Sequence, residues 1–395
     1  MTDFLKTAVS GVNAANSRLG IVSGNLANAQ TTGYKSQSGE FKAMFSGEES
    51  IGVSMRGVKT NYSNGNISQT GNDLNHAIVG NGMFVVKDSD GNESYTRAGF
   101  FDFGADGYLK DSNGNKVQGF ASQDSKGVVG DIFLNKSPME PVASTSGSIA
   151  VNLGSAKDKT TTLTTTLSVF DNLGHEHKLN VVFSNRVLDP VTGEVKWDMK
   201  GKFDGAPLAL PATKIGIDAN GKMKLNEAPF VNGKLSVDLS LVKPTISGVS
   251  TMSIDFSKTT GFDSQTTIRS QKSDGSASGN FSKFIVGDDG VITSYFDNGQ
   301  TRTNGQIAIA SFANYNGLKE GNNGYFELTN DAGEKRLGLS GDAGFGQLIK
   351  GSVENSNVNS TEQLVELIDA QRAFQQCSKV IGASKTISNA LLQSI

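Results

Sequence analysis

An apolar stripe with a seven-residue period near each end of the chain constrains the fold more than any other feature. Near the N-terminus its first row consists of Leu5, Val12, Leu19 and Leu26, and its second row of Ala8, Ala15 and Val22. This spacing places the side chains on one face of a helix, as in the seam of a coiled coil. Because short isolated helices are marginal in water, the stripe predicts a helix from about Asp3 to Asn28 that packs against a partner.

The stripe near the C-terminus has the same period. Its first row consists of Leu367, Phe374, Ile381 and Ile395, with Ser388 as the polar member, and its second row of Ala370, Cys377, Ser384 and Leu391. Ser360, Thr361 and Glu362 supply N-cap chemistry before this helix, and Leu364 lies in its first turns. We therefore expect two terminal helices that pack on each other and on copies of themselves, with Leu364 and the two stripes as the assembly interface. This pattern indicates assembly more than catalysis.

The chain between the helices is typical of a turn-rich β protein, because it is rich in Gly (47 residues) and poor in Pro (7 residues). The run from Ala77 to Lys87 indicates a strand broken by Gly80-Asn81-Gly82, and the runs Thr161 to Phe170 and His177 to Phe183 indicate a hairpin. The predicted fold class is mainly β with terminal α-helices, in which discontinuous β domains are nested between the two members of a coiled-coil helix pair.

The predicted division of the chain has four parts. Residues 1–30 and 358–395 form the terminal helix pair, and residues 31–70 form an extended connector with few strands. Residues 71–144 and 285–357 form an inner β domain that ends in a second connector, 347–359, and residues 145–284 form an outer inserted β domain. The nesting follows from the need of the two terminal helices for each other.

Composition argues against several function classes. The net charge is -3 and charged residues make up 19% of the chain, so there is no basic footprint for nucleic acid. No run approaches the roughly 18 apolar residues of a membrane-spanning helix. The first residues lack a continuous apolar segment, which does not fit a cleaved secretory signal. The single cysteine, Cys377, excludes an intramolecular disulfide framework and is best explained as a small filler on the helix seam.

Metal ligands concentrate in one place, His175-Glu176-His177. Two histidines two residues apart on a strand face the same way, but a zinc site requires a third and usually a fourth ligand. The sequence offers no second cysteine and one other histidine, His76, far along the chain. We therefore expect an exposed hairpin shoulder, with no catalytic residue, cofactor or metal site. A secreted β-rich metal-binding or hydrolytic protein that uses these three residues is the remote alternative.

Three segments carry a resemblance to a known family. Ser23 to Asn28, followed by Thr31 to Lys35, resembles the N-terminal signature of bacterial flagellar rod and hook proteins. Ser356 to Arg372 resembles the closing motif of that family, and Leu74 to Phe84 resembles an internal one. The motif residues that this resemblance assigns are Asn25, Asn28, Gly33, Tyr34, Lys35, Gln371 and Arg372. Asn75, Asn359, Phe374 and Cys377 depart mildly from the usual pattern.

Within that family, the large middle insertion resembles that of hook proteins. The resemblance implies a subunit that polymerises into a flexible tube, the universal joint that links rod to filament and transmits torque. It implies export as an unfolded chain through the flagellar type III apparatus, a location outside the cell, and contacts with the distal rod protein, the hook cap and the hook–filament junction protein. It places the terminal helices inside the tube and the β domains outside. A distal rod or other axial subunit of the flagellum is the alternative.

Overall fold

The computed structural model describes residues 2–46, 49–121, 129–154, 162–211, 214–226, 228–240 and 250–393. The chain is mostly β with a long helix at each end, which confirms the predicted fold class. Helix α1 spans Thr2–Ala27 and helix α2 spans Ser360–Gln393.

The strands between the helices are short, apart from two hairpins. Those of the first part are β1 Gln37–Ser46, β2 Glu49–Thr60, β3 Ile67–Gln69, β4 His76–Val79, β5 Met83–Lys87, β6 Glu93–Thr96, β7 Phe101–Phe103, β8 Leu109–Asp111, β9 Lys116–Phe120 and β10 Val129–Asp131. Those of the middle part are β11 Ser146–Asn152, β12 Leu163–Phe170, β13 Glu176–Leu188, β14 Val195–Phe203, β15 Ala206–Leu208, β16 Lys214–Ile217, β17 Lys234–Asp238, β18 Thr251–Asp255 and β19 Thr267–Ser273. Those of the last part are β20 Phe281–Val286, β21 Val291–Phe296, β22 Thr301–Ile307, β23 Ile309–Phe312, β24 Lys319–Glu320, β25 Phe326–Glu327, β26 Lys335–Gly338, β27 Gln347–Lys350 and β28 Ser352–Glu354.

The start of α2 corrects one detail of the sequence analysis. The cap is Asn359, whose Oδ1 accepts hydrogen bonds from the backbone N–H groups of Thr361 (3.1 Å) and Glu362 (3.4 Å). Ser360 is already the first helical residue. An amide oxygen in this position satisfies N–H groups that lack a partner within the helix.

The two segments predicted as connectors contain strands, so the expectation of few strands in residues 31–70 is wrong, and their role as connectors stays a prediction. In residues 31–70, β1 and β2 pair antiparallel as a long hairpin, from Gln37 opposite Thr60 to Ser46 opposite Glu49. In residues 347–359, β27 pairs with β4 and β28 pairs with β3. The hairpin carries register shifts after Glu40 and after Met44. Each shift moves the following side chains to the other face, which conceals the alternation that marks a strand.

The chain divides into two compact units. The first contains Met1–Asn135, Phe284–Ser294 and Arg302–Ile395, and the second contains Lys136–Lys283 and Tyr295–Thr301. The second unit is thus inserted into the first. The chain passes between them after Asn135, within β20 and β21, and at the start of β22. The finer division of the first unit into helix pair, connector and inner β domain stays a prediction.

Short strands that pair antiparallel form the β part of the first unit. Its main path runs β22-β9-β5-β6-β25-β24, and β23 pairs with both β5 and β26. Between β4 and β5, at Gly80-Asn81-Gly82, the backbone lies close to a neighbouring strand, as glycines inside a strand pattern indicate. Gly82 has φ +132°, and a Cβ on it would lie 2.2 Å from Cγ2 of Ile309. The core beside it is built around Met83, Tyr95 and Phe312.

The second unit is two sheets over one apolar core. One sheet has the order β17-β18-β11-β19, and the other has the order β12-β13-β14-β15, with β16 also paired to β14. Inward residues alternate along the strands, as in Leu167 and Val169 on β12 or Val181 and Phe183 on β13. The predicted hairpin is confirmed, because β12 pairs antiparallel with β13. The fully buried Trp197 on β14 belongs to the same core.

Candidate functional site

The two terminal helices pack against each other as an antiparallel pair. Near the end of α1, the Nδ2 group of Asn25 donates a hydrogen bond to Oε1 of Gln363, near the start of α2 (2.9 Å). Further from these ends, a Cβ built on Gly11 would lie 2.8 Å from Sγ of Cys377. Residues that come later in α1 therefore face residues that come earlier in α2, which defines the antiparallel direction.

Most members of the two predicted stripes are shielded from solvent. The buried members are Ala8, Ala15, Val22 and Ala370, and the half-buried members are Val12, Leu19, Leu26, Leu367, Phe374, Cys377 and Ile381. Leu5 and Leu364 are exposed, at 40% and 47%. Leu391 lies in the last turns of α2, and Ile395 lies outside the described residues. The stripes thus form contacts within one chain, and their role between chains stays a prediction.

The β1–β2 hairpin packs on α1. The backbone N–H of Val53 donates a hydrogen bond to Oγ of Ser10 (3.1 Å). Gly52 lies so close to α1 that a Cβ on it would be 2.1 Å from the same oxygen. The apolar residues that the hairpin leaves exposed are Phe41 (37%), Met44 (39%), Phe45 (64%) and Val58 (49%).

A second exposed apolar strip lies on the first turns of α2. Leu364, Val365 and Ile368 are exposed at 47%, 56% and 48%. Residues at spacings of three and four share one helix face, so Leu364 and Ile368 are neighbours on the surface. We call Leu364, Val365 and Ile368 the helix patch. Phe41, Phe45 and Val58 share one face of the hairpin by strand alternation, and we call them the hairpin patch.

A polar junction connects the helices to the start of the hairpin, and Asn25 is its centre. Its Oδ1 accepts from the backbone N–H of Gln37 (2.8 Å) and from the Tyr34 hydroxyl (3.2 Å). Its Nδ2 donates to the backbone oxygen of Gln37 (2.7 Å) and to Gln363 (2.9 Å). Asn25 is 1% exposed, so these bonds satisfy a polar side chain that water does not reach.

Next to this junction lies a buried group of three charged side chains. The Nζ of Lys35 lies 2.6 Å from Oε1 of Glu354, and Nη1 of Arg97 lies 3.1 Å from Oε2. The backbone N–H of Gly65 also donates to Glu354 Oε1 (2.8 Å), and the backbone N–H of Gly33 donates to the Glu354 carbonyl (2.7 Å). The side chains of Lys35 and Glu354 are fully buried, and that of Arg97 is 3% exposed. We call Lys35, Glu354 and Arg97 the buried triad.

The electrostatics follow from burial. Burial lowers the pKa of Lys35, and the adjacent Glu354 carboxylate opposes that shift. Burial also raises the pKa of the Tyr34 hydroxyl to about 12, with the charge of Glu320 acting in the same direction. The pKa of Glu320 is itself raised by burial, and its hydrogen bond from Gln37 opposes this.

Family models match four segments of the chain. Residues 5–35 match the model described as "Flagella basal body rod protein", and residues 349–394 match "Flagellar basal body rod FlgEFG protein C-terminal". Residues 77–152 match "Flagellar hook protein FlgE/F/G D1 domain", and residues 134–276 match "Flagellar basal body protein FlaE D2 domain". The matches cover both terminal helices and both units.

Curated relatives extend over the whole length. The flagellar hook protein FlgE of Rhizobium meliloti is 30% identical over 98% of this chain and 98% of its own. The chain belongs to the flagellar hook protein family. FlgE of Escherichia coli is 28% identical over the same shares. The chain is thus a structural subunit of the flagellar hook, located outside the cell, and the resemblance stated from its motifs is confirmed.

The fold agrees with a solved hook protein. The crystal structure of the Helicobacter pylori flagellar hook protein FlgE2 superposes with a TM-score of 0.54 at 14% identity, over 71% of this chain and 98% of that one. Among the residues that the structure describes, neither helix combines the length and the apolar character that crossing a membrane requires.

The motif residues of the hook family do not all lie at one place in the fold. Asn25, Gly33, Tyr34 and Lys35 meet at the junction and the buried triad, and Asn28 caps the end of α1 by donating to the Gly24 carbonyl (3.0 Å). Gln371 and Arg372 are exposed on α2, away from the junction.

Sequence reasoning missed two residues of this region and gave no role to a third, Asn357, which lies in the segment that resembles the closing motif. Glu354 and Arg97 belong to the buried triad. Asn357 accepts from the Ser36 backbone N–H (2.7 Å) and donates to the carbonyl of Asn61 (2.8 Å). Lys35 could have indicated the presence of Glu354, because a lysine that becomes buried in a fold usually requires an acidic partner.

The histidine pair is engaged with carboxylates. Nδ1 of His175 lies 3.1 Å from Asp171, and Nδ1 of His177 lies 2.7 Å from Asp204. In the described part of the chain, no group of three or more His, Cys, Asp or Glu is arranged to hold a metal ion. The side chain of His175 is 70% exposed, as expected for a hairpin shoulder. That of His177 is only 16% exposed and stacks on Phe203, so the expectation is wrong for this residue.

Proposed function

We propose that the chain polymerises through its terminal helices and its hairpin into a flexible tube that links rod to filament and transmits motor torque. The observation that supports this proposal is that one chain exposes two separate apolar surfaces, the helix patch and the hairpin patch. Clustered exposed apolar side chains mark interaction sites. An open helical polymer needs two different complementary surfaces on each subunit, because a self-complementary surface closes into a dimer.

In the proposed tube, the layers follow the order of the chain. Residues 1–30 and 358–395 form the inner layer, 31–70 connects it outward, 71–144 and 285–357 form the inner β layer, and 145–284 forms the outer one. Further along α2, the face that carries Leu364 and Ile368 becomes polar, with exposed Gln371 and Gln375. When the tube bends, the outer contacts between subunits must slide, and small interfaces that contain water allow such sliding.

The proposed partners are further copies of this chain, the distal rod protein, the hook cap and the hook–filament junction protein. In this proposal, the chain reaches them by export through the flagellar type III apparatus. The role is structural rather than enzymatic, with no cofactor. What supports this role is that the polar groups of the junction are used in contacts within the fold, as at Asn25 and Glu354.

The seam is tested by electron microscopy of the purified full-length protein. Leu19→Asp or Phe374→Asp places a charge on a half-buried position of the helix pair, and we expect tubes to be lost. Fluorescence of Trp197, in the core of the second unit, is expected to remain native. Normal tubes from either variant would show that the stripe is not required for assembly.

The hairpin patch is tested with a matched pair of exposed residues. Phe45→Asp changes a residue that is 64% exposed on the hairpin, and Leu173→Asp changes one that is 65% exposed in a turn of the second unit. Both variants are expected to fold, because surface changes alter stability by only about 0.5 kcal/mol. We expect Phe45→Asp to raise the protein concentration required for tube formation and Leu173→Asp to leave it unchanged. Equal behaviour of the two would refute a role for the hairpin patch.

A further inference from the structure

The charged residues of α2 are divided by sign along its length. Its first turns carry the acidic residues Glu362, Glu366 and Asp369 and one basic residue, Arg372, whereas the charged residues after Arg372 are Lys379 and Lys385. Helix α1 has one residue of each sign near its start, Asp3 and Lys6, and its Arg18 pairs with Glu366. The helix pair therefore has an acidic end, at the start of α2, and a basic end, at the start of α1.

The helix patch lies at the acidic end. Glu362 precedes Val365 by three residues and Asp369 follows it by four, so both carboxylates border the helix patch on the surface of α2. Both residues are exposed. One chain thus leaves an apolar surface with an acidic border open to solvent.

The basic end also exposes apolar side chains. Because Gly11 faces Cys377 in the antiparallel pair, residues early in α1 lie level with residues late in α2. At this level Leu5, Val9 and Ile387 are exposed at 40%, 42% and 56%. We call Leu5, Val9 and Ile387 the end patch, and the exposed Lys379 and Lys385 belong to the same half of α2.

We propose that the end patch of one copy packs on the helix patch of the next copy, with Lys379 and Lys385 near the neighbour's Glu362 and Asp369. This inference rests on the proposed polymerisation and adds which surfaces meet. The two surfaces differ, so the contact is heterologous and repeats from copy to copy without closing. The hairpin patch is left for a neighbour in another direction, which the wall of a tube requires.

The charge pattern opposes the alternative pairings. Two helix patches that met would bring acidic borders together, and two end patches would bring lysines together, so closed dimers are disfavoured. The two patches are also far apart along the axis, since Ile368 and Ile387 are separated by about 28 Å at 1.5 Å per residue. Copies joined in this way are therefore shifted along the helix axis and form an overlapping stack.

The experiment reverses the charges of one end at a time in the full chain. The acid-end variant is Glu362→Lys with Asp369→Lys, and the basic-end variant is Lys379→Glu with Lys385→Glu. The combined variant carries all four changes. All four positions are exposed, so the fold is expected to be retained. The protein concentration required for tube formation is measured by sedimentation and electron microscopy at low ionic strength, where screening is weak.

A matched control separates the contact from net charge. The combined variant has the net charge of the native chain, so net charge by itself would also explain a recovery of tubes. The control therefore joins the acid-end variant to Lys200→Glu and Lys202→Glu, at two exposed positions on β14 of the second unit. It has the same net charge as the combined variant but leaves the basic end unchanged.

We expect the acid-end and basic-end variants each to raise the required concentration by at least about tenfold, because like charges then face each other. The combined variant is expected to return to within about threefold of the native value, and the control is expected to stay at the acid-end value. Recovery in the combined variant also shows that the four changes leave the fold intact.

Three results would overturn this contact while tubes of the native chain still support the proposed function. They are single-end variants without effect, a combined variant that is no better than either, and a control that recovers equally. Absence of tubes from the native chain would overturn the proposed function and this inference with it.

Discussion

Gly33→Ala is expected to lower the free energy of unfolding of the first unit by about 1.5–3.5 kcal/mol. Gly33 has φ +74°, a left-handed conformation that costs a residue with a Cβ about 1–2 kcal/mol. The new Cβ would also lie 2.5 Å from the backbone nitrogen of Ala98 and 2.7 Å from the carbonyl carbon of Arg97. Backbone atoms do not move aside freely, so Gly33 must shift. The shift lengthens its 2.7 Å hydrogen bond to the Glu354 carbonyl, worth about 0.5–1.5 kcal/mol.

Gly71→Ala is the matched control for this prediction. Gly71 has φ +73°, almost the same conformation, but no heavy atom lies within 4 Å of the position that a Cβ would occupy. The control therefore includes the backbone strain of about 1–2 kcal/mol without the close contact. The difference between the two variants isolates the contact of Gly33 with the β part of the first unit.

The assay is urea unfolding of the full chain with separate readouts for the two units. Protection of β5 amides from hydrogen exchange reports the first unit, and fluorescence of Trp197 reports the second. We expect the first transition to move to lower urea, by more in Gly33→Ala than in Gly71→Ala, while the Trp197 transition stays in place. Equal losses in the two variants would refute the reasoning.

Three further predictions concern burial. Burial lowers the pKa of His76, so the unfolded chain binds a proton at this residue at a higher pH than the folded chain does. The first unit therefore loses stability as pH falls below 6.5. His76→Gln is expected to weaken this pH dependence of the urea midpoint. Burial raises the pKa of Glu320, so the folded chain keeps the proton on this carboxyl to a higher pH than the unfolded chain does. The first unit therefore loses stability as pH rises from 4.5 through the pKa of the folded state. Glu320→Gln is expected to remove this loss in the same assay. Phe183→Ala is expected to lower the stability of the second unit by about 3–5 kcal/mol, seen in the Trp197 transition alone.

Each of these has an outcome that contradicts it. An unchanged acid dependence in His76→Gln would mean that another group takes up the proton. A lower midpoint of Glu320→Gln at neutral pH would mean that its carboxylate is a net stabiliser. Movement of the first-unit transition in Phe183→Ala would mean that the two units unfold together.

The repeating parts of the fold were predictable, because their signal is local. The stripe from Leu5 to Leu26 and the hairpin around His177 are periodic patterns, and periodicity follows from helix and strand geometry. The β1–β2 hairpin was missed for a local reason, since its register shifts break that periodicity. Glu354 was missed for a different reason. Its partners Lys35 and Arg97 lie hundreds of residues away in the sequence, and no spacing rule connects them.

The packing of the two helices is unequal, and this inequality has a consequence for assembly. Helix α1 packs against both α2 and the β1–β2 hairpin, whereas α2 packs chiefly against α1 in the described part of the chain and leaves the helix patch exposed. Since helical order in water comes mainly from packing, α2 gains more than α1 when a neighbouring copy covers it. We therefore expect slower hydrogen exchange in α1 than in α2 for the dissociated protein, and similar exchange in tubes. If α2 were already as protected as α1 before assembly, the helix patch would not be the surface that polymerisation covers.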